Sequence, residues 1–177
     1  MDWYDSVFEV IDMRSFSNLW YWIALAVLWS SVSHWVLGVP FDSILRARRG
    51  KPDTAMEDCE NLTRINVNRI LYIADVSGLW IALFGSMFIT TLGISAFLYD
   101  IEFSQAVFLM AFPMILLGGM SVRTARVIRS RALDGDDLIR RLLRHRFFTQ
   151  LIGVASIFVT AMFGMYQNLN VGPFGGF

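Results

Sequence analysis

Polar and apolar positions along this chain fall into long blocks, with little of the short-period alternation of a half-buried strand. Four apolar runs, over residues 19–39, 70–98, 103–122 and 147–166, are each long enough to cross the ~30 Å hydrocarbon core of a bilayer at ~1.5 Å of helix per residue. Two polar connections, 40–69 and 123–146, and a very short link carrying Asp100 and Glu102 separate them. The pattern predicts an all-α, polytopic membrane protein with four transmembrane helices in a single membrane domain over 1–177.

Details inside the blocks sharpen this outline. Residues 1–15 place Trp3, Val7, Val10 and Ile11 near one helical face and Asp2, Asp5, Glu9 and Asp12 largely elsewhere, which predicts a short interfacial helix. The first apolar run opens on Trp20-Tyr21-Trp22 and stops at Pro40, and Ala26, Ser30, His34 and Gly38 recur at four-residue spacing. In the second run Gly78, Ala82, Ser86 and Thr90 do the same, with the carboxylate of Asp75 just beyond their end. Both faces suit close helix packing in a membrane. Thr54 and Glu57 have capping-box spacing, and Met56, Cys59, Leu62 and Thr63 extend a neutral stripe towards the second run. Pro113 and Gly118-Gly119 predict a kink or loosening of the third. The basic segment 123–146, folded around Asp134-Gly135-Asp136-Asp137, predicts a helical hairpin extending the third and fourth spans beyond the membrane.

Composition adds two constraints. With 55% hydrophobic residues and a mean hydropathy of +0.51, the chain is too apolar for an ordinary soluble domain of its length. Its net charge is zero, but all of the 15 Lys and Arg residues except Arg14 lie in the two polar connections. The positive-inside rule puts both connections in the cytoplasm and both termini in the periplasm of a bacterial inner membrane. The acidic N-terminus lacks the basic start and cleavage site of a signal peptide. A lone cysteine, Cys59, forms neither an internal disulfide nor a multi-thiolate metal or cluster site, and no cofactor is expected.

Two groups of residues are candidates for chemistry. His34 and Asp75 lie at a common depth, ~7–9 Å in from the cytoplasmic boundary by helix rise, where they could meet as an intramembrane polar pair. One reading is a proton-linked switch or ion path, since histidine titrates near neutrality; the other is a structural pair that fixes helix register. Arg123, Arg126, Arg129, Arg131, Arg140, Arg141, Arg144 and Arg146 form the second group. The spacing of the first three resembles a voltage-sensing helix, but they follow the apolar run instead of lying within it. That placement suits an orientation signal that contacts anionic lipid headgroups or a protein partner. No interleaved aromatics or nucleic-acid motif accompany them, so no nucleic acid is expected.

The opening MDWYDSVFEVIDMRSFSNLWYWIALAVLWSSVSHWVLGVPFD resembles a family of small alphaproteobacterial inner-membrane proteins commonly labelled "component of SufBCD complex". The resemblance covers the first quarter of the chain. It implies a bacterial inner-membrane setting and association with the cytoplasmic iron–sulfur assembly machinery, presented to the basic connections.

No phosphate loop, dinucleotide fingerprint, nucleophile elbow or zinc-protease helix occurs. The expectation is a non-enzymatic accessory or assembly protein whose small-residue faces pack with partner helices or in a homo-oligomer. The alternative is a small oligomeric transporter or channel with a path past His34 and Asp75. A third reading, an enzyme acting on lipid headgroups, would use the same two side chains at the interface.

Overall fold

The computed structural model describes residue 16 and residues 19–50 and 54–170, which form five helices and one two-stranded hairpin. The expected interfacial helix at 1–15 lies outside the described residues. Helix α1 is Leu19–His34, strands β1 (Trp35–Val36) and β2 (Val39–Pro40) pair antiparallel, and α2 is Phe41–Arg49. Helices α3 (Ala55–Phe97), α4 (Glu102–Ser130) and α5 (Gly135–Asn170) follow. These last three are long and apolar enough to cross a membrane, and they make this an all-helical, membrane-embedded chain.

The first apolar run departs from expectation. Its helix ends at His34 instead of continuing to residue 39, so α1 has 16 residues and reaches only about 24 Å. The cause is local backbone geometry. Leu37 and Gly38 both take positive φ (52° and 78°), the requirement of a primed two-residue hairpin turn, and Val36 pairs with Val39 across it. Leu37 bears the left-handed conformation because its side chain is buried in the core. Gly38 is held from outside, where Asn66 donates from Nδ2 to its carbonyl at 3.2 Å and leaves a Cβ no room, only 2.9 Å from Oδ1. Gly38 therefore does not extend a small face of α1. Ala26, Ser30 and His34 are exposed, whereas Leu25 and Trp29 face inward, with the Trp29 ring seated on Gly153 of α5.

Helix α2 is short and amphipathic. Ile44 and Ala47 are buried, Arg46, Arg48 and Arg49 point outward, and Gly50 at φ 64° closes it, its N–H donating hydrogen bonds to the carbonyls of Arg46 and Ala47. Helix α3 runs unbroken for 43 residues, about 65 Å, so its polar first third and apolar remainder form one rod. The capping box expected from Thr54 and Glu57 does not form. Thr54 is itself helical in φ and ψ, makes no cap bond, and directs its hydroxyl to Asp58.

Burial is sharply uneven along the rods. One core gathers Val36, Ile44, Cys59, Val67, Leu71, Ala125, Ile128 and Leu142, drawing on the hairpin and on every helix except α1. It gathers the basic segments and the ends of the two apolar runs next to them. In the apolar half, only 6% of the most hydrophobic stretch of α3 is buried, against 17% for α4 and 28% for α5. There the helices touch through a smaller cluster of Leu25, Trp29 and Leu117, and the far end is tied by Gln105, whose Nε2 donates to the Ala96 carbonyl while its Oε1 accepts from Gln167.

Candidate functional site

The basic half of α3 and the turn between α4 and α5 enclose the polar cleft of this protein. Its helix wall is built by residues at helical spacing on one side of α3, Glu60, Asn61, Arg64 and Asn68. The opposite wall comes from Arg129 at the end of α4 and from Asp134 before α5. The turn is held against α3 by a long-range cap, in which the Gly135 amide donates to Glu60 Oε1 at 2.7 Å. That bond satisfies one of the otherwise unpaired first amides of α5 and places a carboxylate at its positive end. The cleft has a volume of about 380 Å³, within the range of small-molecule sites.

Its polar groups are partly pre-positioned. Arg64 donates from Nη2 to Asn61 Oδ1 at 2.9 Å. Arg129 Nη2 lies 3.8 Å from Asp75 Oδ2, both side chains being more than half exposed. Two guanidinium groups and two carboxylates thus line one concavity. Such a set presents both signs of charge to the concavity; among the described residues lining it, no nucleophile and base are in hydrogen-bond contact.

The structure does not bring His34 and Asp75 together. Asp75 pairs with Arg129, while His34 is exposed and its ring meets Trp35 edge-on, 5.6 Å between centroids. Where α1 stops, the chain turns into the β hairpin, so His34 ends a helix instead of lying inside a span. Gly78, Ala82, Ser86 and Thr90, which were to receive Asp75, are largely uncovered: a Cβ added at Gly78 or Gly85 would meet no atom within 4 Å.

The eight arginines divide. Arg123, Arg126, Arg131 and Arg144 are exposed. Arg129 pairs with Asp75, and Arg140 with Asp137 at 2.6 Å. Arg146 serves the fold: its guanidinium carbon lies 3.5 Å from the Phe41 ring centroid and its Nε donates to the Ser33 carbonyl at 3.3 Å. It joins the end of α1 to the start of α2, which withdraws it from the surface set. Arg141 is half-buried, with its Nε shielded from solvent.

Two buried groups of the basic half complete the chemistry. His145, just before the last apolar run, shares a 3.2 Å hydrogen bond with Thr124 Oγ1 across the α4–α5 contact. Burial, helped by the nearby Arg141 charge, pushes its pKa down to about 4, so the ring is neutral at pH 7. Cys59 is fully buried, its carbonyl accepting from the Thr63 hydroxyl, and desolvation raises its thiol. It packs as a small apolar residue. Among the described residues no group of three or more His, Cys, Asp or Glu side chains is placed to hold a metal ion.

A second cavity, about 310 Å³, runs between α4 and α5 in the apolar half and is lined by Phe108, Phe112, Pro113, Leu116, Ile152 and Val159 among others. Sequence reasoning did not assemble the polar cleft. The helical spacing of Asn61, Arg64 and Asn68 signals a polar face, but nothing local announces that residue 60 caps residue 135. Comparison with family models, with curated proteins and with solved structures returns no match.

Proposed function

We propose that this chain is a non-enzymatic accessory or assembly protein of a bacterial inner membrane, with both basic connections in the cytoplasm and both termini in the periplasm. Its spans pack with the helices of a partner or of a second copy, and its basic half contacts anionic headgroups or a cytoplasmic protein. Helix α1 adds a fourth, short pass, with Trp20 and Trp35 exposed at its two ends as interfacial anchors. Its ~24 Å length is within what a bilayer accommodates by thinning locally.

The observation that carries this reading is the bareness of α3. Its span is almost wholly uncovered, and along it Gly78 and Gly85 offer open positions where another helix backbone approaches closely. The resemblance of residues 1–42 makes the iron–sulfur assembly machinery the first cytoplasmic partner to seek. The test is a Gly85→Cys variant in a Cys59→Ser background, cross-linked in native membranes and purified in mild detergent. A discrete cross-linked species, lost when Gly78→Leu is added to the same cysteine variant, is expected. Recovery of the protein alone at every detergent strength, without a cross-link, overturns the reading. The alternative ion path drew on a His34–Asp75 contact, and those side chains have other neighbours.

A further inference from the structure

The cleft presents both signs of charge on one concave surface. The exposed face of the hairpin carries Arg123, Arg126, Arg131 and Arg144, with Asp136 and the Arg140–Asp137 pair near its turn, and the cleft itself is lined by Arg64 and Arg129 and by Glu60 and Asp134. The four charged lining groups sum to zero with the two signs on separate groups, and Asp75 adds a further carboxylate beside Arg129, so the concavity gives no net attraction to an anion. It complements a zwitterion.

Position narrows the source of that zwitterion. Arg129 lines the cleft and also reaches Asp75, which lies in the first turns of the apolar part of α3, beside the exposed Tyr72, Ile73 and Val76. The α3 wall of the cleft ends at Asn68, two residues before the apolar run begins, so the cleft borders the passage from polar to apolar sequence, the level of a bilayer headgroup if that run crosses a membrane. We propose that it holds the headgroup of a zwitterionic phospholipid bearing a primary amine. The phosphate lies between Arg64 and Arg129, whose planar donor forks match its oxygens. The ammonium faces Glu60 and Asp134, to which a primary amine donates hydrogen bonds and a quaternary one does not. Glu60 spends one oxygen on the Gly135 amide and has a second to offer. Asn61 holds the Arg64 guanidinium in place before any ligand arrives.

This inference rests on the reading that the long helices cross a membrane, and the experiment separates the two. The full-length protein is first extracted from membranes with alkaline carbonate; release into the soluble fraction overturns both. Retained protein is then purified in detergent and titrated, by native mass spectrometry, with phosphatidylethanolamine, phosphatidylglycerol, phosphatidylcholine and soluble glycerophosphoethanolamine. The expected result is at least a tenfold preference for phosphatidylethanolamine over the other two lipids. It disappears in the Arg64→Gln/Arg129→Gln variant. It also disappears in Glu60→Gln, which keeps an acceptor for the Gly135 amide and so preserves the turn. Equal or stronger retention of phosphatidylglycerol, or an unchanged preference in Glu60→Gln, overturns the headgroup assignment while leaving membrane insertion intact. Binding of glycerophosphoethanolamine as strong as that of the lipid identifies a soluble ligand and overturns the lipid as occupant. If the double variant fails to fold, Glu60→Gln alone decides.

Discussion

The two halves of this molecule follow different solvents. In the basic half, apolar side chains from four helices and the hairpin converge on Cys59, Leu71 and Leu142, each 1% exposed or less. In the apolar half, Leu79, Phe84 and Met87 of α3 stand more than half exposed. Water drives the first arrangement, since every apolar side chain left outside costs free energy in proportion to its area. Lipid removes that drive from the second, because a bilayer tail is as apolar as leucine. One continuous helix, α3, passes from one regime to the other without a break.

The largest effect that tests this contrast is truncation in the two halves. Leu142→Ala, at a fully buried position of the basic core, is expected to cost about 2–5 kcal/mol. Phe84→Ala, on the lipid-facing side of α3, should cost less than ~1 kcal/mol. Reversible unfolding of both variants in the same detergent measures the difference, and comparable losses would show that the spans carry the stability.

Acid titration probes the basic half next. The folded-state pKa of His145, about 4, lies below its ordinary 6.5, so the unfolded chain takes up a proton that the folded one refuses. Its contribution is constant above about pH 6.5, is lost as pH falls from there towards 4, and levels off below that. The slope attributable to it is at most about 1.4 kcal/mol per pH unit. Melting curves of wild type and His145→Gln between pH 7 and 4 should converge as the pH drops; parallel curves would deny the ring a neutral, buried role.

The smallest effect concerns Asp75. Its ion pair with Arg129 is solvent-exposed, so Asp75→Asn should change stability by less than ~1 kcal/mol. Combined with His34→Ala, the two effects should add to within ~0.5 kcal/mol, as sites without contact do. A larger coupling energy would restore the His34–Asp75 pair.

These outcomes bear on what the sequence made legible. The helices and the concentration of basic charge beyond the spans were readable because they follow from run length and residue type alone. The end of α1 was not, since the left-handed Leu37 is offset by burial in a core most of whose other members, from Cys59 to Leu142, lie more than twenty residues away. Small residues at four-residue spacing predicted a packed face on α3, yet spacing says only that close approach is sterically open, and in this chain nothing fills it. Asp75 stood out in the sequence as a carboxylate inside an otherwise apolar stretch. The structure gives it Arg129 as neighbour, because the first helix ends at His34 and an arginine reaches across from the neighbouring helix. Glu60 and Asn68 carry no signal in the sequence, and Asp134 reads only as part of a turn, because a cleft is a property of two segments at once.

The bond from the Gly135 amide to Glu60 has a consequence for how the molecule is made. Donor and acceptor are separated by 75 positions, with two apolar runs between them. If both runs cross the bilayer, as proposed, the acceptor on a growing chain emerges first, and the amide that completes the bond arrives only after both runs have been inserted. The bond thus reports on topology. A chain that threads the second and third runs so that the turn emerges on the opposite side from Glu60 leaves the start of α5 uncapped and the basic core without Leu138 and Leu142, and such a chain is exposed to proteolysis at that turn.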